Sequence, residues 1–171
     1  MDLDSAVGTW ANFALVVGGA SAALTGLLFV AVSLNAQRIA EHPALRASAG
    51  QTLVLFVVPL LSSMLLMVPG QPRWVIGTEL TVLAVAAGLI FVVVGRNKTF
   101  NIDSTDNSTT ARFLRVLDRS SPNLLTVVFL LASGITVLAG HGGGLYWLVP
   151  SAVVALVGGV MNAWLFLTRL I

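Results

Sequence analysis

The stretch from Trp10 to Asn35 constrains the fold of this chain more than any other. It runs for about 26 residues without an aspartate, glutamate, lysine or arginine. At the helical rise of about 1.5 Å per residue, such a stretch is longer than the roughly 30 Å hydrocarbon core of a bilayer. Its length and composition therefore predict a first transmembrane helix over 10–35.

The composition of the whole chain extends this prediction. Hydrophobic residues make up 57% of the chain and charged residues 9%, whereas an average soluble domain has about 25% charged residues. We expect four further spans at about 51–68, 74–95, 122–139 and 145–167. The predicted fold class is an all-α, polytopic membrane bundle of five helices that forms a single transmembrane domain.

The distribution of basic residues predicts the orientation of these spans. With the N-terminus outside, eight of the nine lysines and arginines lie inside. These eight are Arg38, Arg46, Arg96, Lys98, Arg112, Arg115, Arg119 and Arg169. Arg73 alone falls outside. Because cytoplasmic loops carry the excess of lysine and arginine, we expect an N-out, C-in membrane protein.

The segment 96–121 is the long polar stretch of the chain, and we expect it to be a cytoplasmic loop. Within it, residues 108–119 predict a short basic amphipathic helix. Its two faces carry Phe113, Leu114 and Leu117 on one side and Arg112, Arg115 and Arg119 on the other. Such a helix suits an anionic membrane surface, and the alternative is packing beneath the bundle. Ser121 and Pro122 then predict the start of the fourth span, as an N-cap and a first-turn proline.

Small and polar residues form a line along the first span. Asn12, Gly19, Gly26 and Ser33 recur every seven residues, with Ala23 beside them. Small residues allow the close backbone approach that drives helix association in lipid. We therefore predict a helix-packing seam at Gly19, Ala23 and Gly26 and a central position for this helix. The alternative is that this face lines a pore or a cavity.

Glu79 is the one acidic or basic residue within a predicted span. A charged side chain at membrane depth is costly unless it is paired, hydrated or protonated. Three interpretations remain open: Glu79 reaches the headgroups, pairs with Arg73 or Asn12, or lines a water-filled outer vestibule. Together with Asn12, Ser33 and Asn162, it forms the candidate polar path across the bilayer.

A proline interrupts the second predicted span. Pro59 lies in mid-span and removes one hydrogen bond of the helical ladder, which predicts a bend. Ser62 and Ser63 follow closely and could compensate for the loss. This arrangement predicts either a gate or binding notch, or ordinary bending of a membrane helix.

The residues offer no constellation typical of an enzyme. The chain has no cysteine and two histidines, His42 and His141, which the predicted topology places on opposite sides of the membrane. They could not share a metal ion. The spans contain no HExxH, Walker or nucleophile-elbow motif. We therefore expect no enzymatic activity, no cofactor, no metal and no nucleic-acid partner.

Three segments resemble a known family. VGGASAALTGLLFVAVSLN, LLMVPGQ and GGGLYWLVPSAVVALVGGVMNAW are similar to segments of small bacterial, mostly actinobacterial, integral membrane proteins. Members of this uncharacterised family are sometimes labelled modulators of an ATP-dependent membrane protease. The resemblance implies a multi-pass bundle in a bacterial cytoplasmic (inner) membrane and transfers no catalytic or binding residue.

Two classes of function follow from these features. The first is an oligomeric passive pore or small transporter for ions or small solutes, which requires a polar path across the bilayer. The second is a non-transporting scaffold or regulator of a membrane-protein partner, which requires a dry interior. In both cases we expect the lipid bilayer and further copies of the chain as partners, and the resemblance implies a membrane protease as a regulated partner.

Overall fold

Six α-helices and one 3₁₀ turn make up the described part of the chain. The computed structural model describes the backbone of residues 3–99, 109–140 and 143–168, and side chains at 10–43, 45–94, 122–140 and 143–165. The helices are α1 (Leu3–Leu34), α2 (Ala36–Glu41), α3 (Pro43–Leu66), α4 (Arg73–Thr99), α5 (Thr109–Leu138) and α6 (Leu148–Thr168), and the 3₁₀ turn (Gly144–Trp147) precedes α6. Every regular element in these ranges is helical, as the all-α prediction requires.

Four segments are long and apolar enough to cross a membrane. They are Trp10–Leu34, Leu45–Leu66, Arg73–Val94 and Gly144–Leu165. The shortest of them have 22 residues, which corresponds to about 33 Å of helix. The apolar part of α5, Pro122–Leu138, is shorter and reaches about 25 Å. Four potential spans are thus present in the described part of the chain, and the apolar part of α5 is shorter than any of them.

Helix α3 lies at the centre of the bundle. It packs against α1, α4 and α6, whereas α1 packs mainly against α3 alone. Half of the apolar segment of α3 is buried, against 11% of that of α1. The prediction that the first span is the central packing helix is therefore wrong for contacts within one chain.

The packed face of α1 is opposite to the predicted seam. Its buried residues are Ala14, Val17, Ser21 and Leu28. Gly19 lies two residues before Ser21, and Gly26 lies two residues before Leu28. Two residues correspond to a rotation of about 200° around a helix. Gly19, Ala23 and Gly26 are consequently all exposed.

Helices α4 and α5 form the closest pair and run antiparallel. Gly77 lies against Leu138, and Gly134 lies against Thr81. A Cβ atom on Gly134 would lie 2.8 Å from the backbone nitrogen of Thr81 and 3.1 Å from the carbonyl oxygen of Gly77. The absence of a side chain at Gly134 is therefore what allows the two backbones to approach.

Helix α5 runs without interruption from Thr109 to Leu138 and contains Pro122 in its interior. The predicted helix over 108–119 and the predicted helix start at Pro122 are thus replaced by one continuous helix. A proline removes only one ladder hydrogen bond, and membrane helices tolerate this loss. Gly158 of α6 leaves space for the Pro122 ring, since a Cβ atom there would collide with it.

Candidate functional sites

Glu79 is held by a neutral partner. Its half-buried carboxylate accepts hydrogen bonds from Nε2 of Gln71, at 3.3 Å to Oε1 and 3.2 Å to Oε2. Arg73 instead donates from Nη1 to the carbonyl oxygen of Gly140, at 3.4 Å. Gln71 lies in the loop before α4, so this loop folds back onto the second helical turn of α4. Neither Arg73 nor Asn12, the two partners proposed from the sequence, contacts Glu79 through a described hydrogen bond.

Arg73 contacts the end of the neighbouring helix α5. Gly140 follows the last turn of α5 and has a left-handed backbone, with φ at 85°. The C-terminal end of a helix carries partial negative charge, and a nearby arginine interacts favourably with it. Arg73 therefore ties the start of α4 to the end of α5.

Asn12 and Ser33 lie at opposite ends of the exposed face of α1. They are 21 positions apart, which corresponds to about 32 Å of helix. The Ser33 hydroxyl donates to the carbonyl oxygen of Phe29 at 2.8 Å. Between them, Gly19 and Gly26 have open space where a Cβ atom would be. This face makes no close contact with the described part of the bundle at either glycine.

The four residues of the candidate polar path do not meet. Asn12 and Ser33 are on α1, Glu79 is on α4, and Asn162 is half-buried on α6. Among the described side chains, no hydrogen bond joins any two of these four. A polar path through one copy of the bundle therefore does not form from these residues.

The interior of the bundle is closely packed and mostly apolar. The core includes Leu66, Ile76, Leu80, Ala84 and Leu130, which extend it along the α3–α4–α5 interface. Leu55 and Phe56 are also fully buried. A cavity of about 10 Å³ lies between α1, α3 and α6. A space of this size is near the minimum needed for one water molecule.

Buried polar residues on α5 were missed from the sequence. Asn123, Thr126 and Ser133 recur at intervals of three and seven residues on one face and are all buried. The hydroxyl of Ser151 on α6 donates to the carbonyl oxygen of Thr126 at 3.0 Å and joins the two helices. The spacing of these polar residues within an apolar span was the available signal, because interhelical hydrogen bonds favour such positions.

The tryptophans and the tyrosine lie near the ends of the helices. Trp10 packs edge-to-face against Tyr146, with ring centroids 5.1 Å apart. Trp74, at the start of α4, is 67% exposed, and Trp164, near the opposite end of α6, is 69% exposed. Exposed tryptophan and tyrosine at both ends of a bundle are typical of the two interfaces of a membrane.

The remaining predicted site residues lie outside the described side chains. Arg112, Arg115 and Arg119 belong to the first part of α5, and the orientation of their side chains is not described. Arg46 of α3 donates from Nη2 to the carbonyl oxygen of Ala40, near the end of α2, at 2.6 Å. Among the described residues, no group of three or more histidine, aspartate or glutamate side chains could hold a metal ion.

Comparison with known proteins adds no relative. No family model, curated protein or solved structure matches the chain.

Proposed function

We propose that the chain is a five-span protein of a bacterial cytoplasmic membrane, with its N-terminus outside and its C-terminus inside. The four long apolar segments support a multi-pass arrangement. The apolar part of α5 is at the lower limit for a span. With α5 as the fifth crossing, eight of the nine lysines and arginines would lie on the cytoplasmic side.

The topology is tested by reporter fusions at residues 5, 45, 71, 110, 142 and 171. The proposal expects the reporters to alternate between outside and inside, beginning outside. An outside signal at residue 110 would contradict the fifth span and the orientation together.

For its activity, we infer a non-transporting scaffold or regulator that binds another membrane-embedded helix against the exposed face of α1. The observation that carries this proposal is the contrast between the two faces of this helix. One face is buried on α3, while Gly19, Ala23 and Gly26 lie exposed on the other. Small residues at such a face permit close helix contact in lipid. The packed core of the bundle favours binding over transport.

The partner in this proposal is a membrane protein or further copies of the chain. The family resemblance suggests an ATP-dependent membrane protease as one protein to test. Association through α1 would leave the packing of α3, α4, α5 and α6 unchanged.

A second candidate is an oligomeric passive pore, and one observation favours it. Asn12 and Ser33 lie at the two ends of the exposed α1 face, with Gly19 and Gly26 between them. Several copies with this face turned inward would place a ring of polar groups at each end of a channel lined by small residues. Glu79 and Asn162 would then not contribute to the channel, because they lie on other helices.

Reconstitution separates the two candidates. The protein is placed in liposomes that contain a cation gradient or a small fluorescent solute, and release is compared with that from empty liposomes. The scaffold proposal expects no release above that of empty liposomes. Release that is lost in Gly26→Leu but kept in Val82→Leu would contradict the scaffold and favour the pore, since Val82 is exposed on α4.

A further inference from the structure

A proline interrupts the hydrogen-bond ladder of α3. Pro59 lies inside this helix, where it has no N–H group for the ladder. Ser62 donates from its hydroxyl to the carbonyl oxygen of Pro59 at 3.0 Å. The hydroxyl therefore binds the backbone at the same point where the ladder is interrupted.

The small cavity adjoins this part of α3. It lies where α1, α3 and α6 meet and is lined by Val17, Ser62, Ser63, Leu66, Leu148 and Ala152, among others. Of these residues, Ser62 and Ser63 bring hydroxyl groups into a largely apolar lining. Its volume of about 10 Å³ lies at the threshold of about 10–15 Å³ at which one water molecule fits.

The hydrogen bonds of the two serines are incomplete. Ser63 is 6% exposed, and its hydroxyl has no hydrogen bond within the described part of the chain. Ser62 uses its proton on Pro59, but its oxygen keeps lone pairs that can accept. The Ser63 oxygen is not completely enclosed, unlike that of Ser133, and a bound water commonly satisfies a hydroxyl in such a small cavity.

We propose that the cavity binds one water molecule between Ser62 and Ser63. The water donates one proton to the Ser62 oxygen and forms its second hydrogen bond with the Ser63 hydroxyl. Two polar partners meet the lower limit found for buried water in proteins. The site would hydrate α3 beside Pro59 and does not depend on the proposed function.

Water-edited solid-state NMR on the protein in liposomes tests the site. The measurement is the rate of magnetisation transfer from water to the serine Cβ atoms. Ser133 is the matched control, because it is fully buried and its hydroxyl also lacks a partner, but it does not line this cavity. We expect transfer to Ser62 and Ser63 to be several-fold faster than to Ser133. Equal rates at the three serines would overturn the proposal.

Two variants test the assignment of the partners. In Ser63→Ala we expect the transfer rate at Ser62 to fall to that of Ser133. In Ser33→Ala, which removes an exposed hydroxyl from α1, we expect the Ser62 rate to remain as in the wild type. Unchanged fast transfer at Ser62 in folded Ser63→Ala would contradict a site made by the two serines. If Ser63→Ala does not fold, the comparison with Ser133 in the wild type decides.

Discussion

Replacing Gly134 with alanine should destabilise the bundle far more than the same replacement at Gly19. At Gly134 the new methyl group would lie 2.8 Å from the backbone nitrogen of Thr81 and 3.1 Å from the carbonyl oxygen of Gly77. Backbone atoms cannot rotate away, so α4 and α5 must separate. Overpacking of this kind costs about 1–3 kcal/mol. At Gly19 nothing lies within 4 Å of the new atom.

The Gly19 variant supplies the matched control because both positions are inside helices. Removing an exposed helical glycine favours the helix by about 0.5–1 kcal/mol. Both variants gain this contribution, so it cancels, and they should differ by the overpacking cost of about 1–3 kcal/mol in the free energy of unfolding. This difference corresponds to roughly five-fold to more than a hundred-fold in the unfolding equilibrium.

The assay is reversible unfolding in mixed micelles, followed by the helical circular dichroism signal of the wild type and both variants. Gly134→Ala should unfold at a lower denaturant fraction than the wild type, and Gly19→Ala should unfold at the same fraction or a higher one. Equal stability of the two variants would refute the close approach of α4 and α5 on which the reasoning depends.

Two further predictions concern hydrogen bonds between side chains and between helices. In a double-mutant cycle, Glu79→Gln and Gln71→Ala should show a coupling energy of about 1 kcal/mol, because a half-exposed carboxylate accepts from the amide. The effects of Glu79→Gln and Arg73→Gln on the free energy of unfolding should instead be additive. Coupling in the second cycle and additivity in the first would contradict the assigned partners. Ser151→Ala removes the hydrogen bond to the Thr126 carbonyl and should lower the free energy of unfolding by about 0.6 kcal/mol. The same unfolding assay measures this effect, and an unchanged free energy of unfolding would show that the bond contributes nothing.

The long helices could be predicted from the sequence because their apolar runs match the thickness of a bilayer. The run after Trp10 carries no charge, and the helix that contains it, α1, ends at Leu34, close to the predicted boundary. Residue type alone did not fix the boundary at Pro122. Serine followed by proline is typical of a helix start, but the same pair also fits inside a membrane helix when a neighbour such as Gly158 makes room.

The packed face of α1 could not be read from the sequence because small residues occur on both of its faces. Gly18 lies next to Ser63 of α3, while Gly19, the next residue, is exposed. The choice between the two faces depends on the shape of α3, which the sequence of α1 does not contain.

The partner of Glu79 was missed for a related reason. The nearest opposite charge along the chain is Arg73, but tertiary structure offers this arginine the carbonyl oxygen of Gly140. Gln71 then becomes the donor that reaches the carboxylate. Proximity in sequence therefore identified the correct turn but the wrong side chain.

Site-specific photo-crosslinking in native membranes tests the central claim, that the exposed face of α1 binds another membrane helix. A photoreactive residue replaces Ala23 in one variant and Val82 in the other, since both positions are exposed on their helices. The account predicts a discrete crosslinked product from position 23, with a second copy or another membrane protein, and none from position 82. No product from position 23, or the same products from both positions, would contradict it.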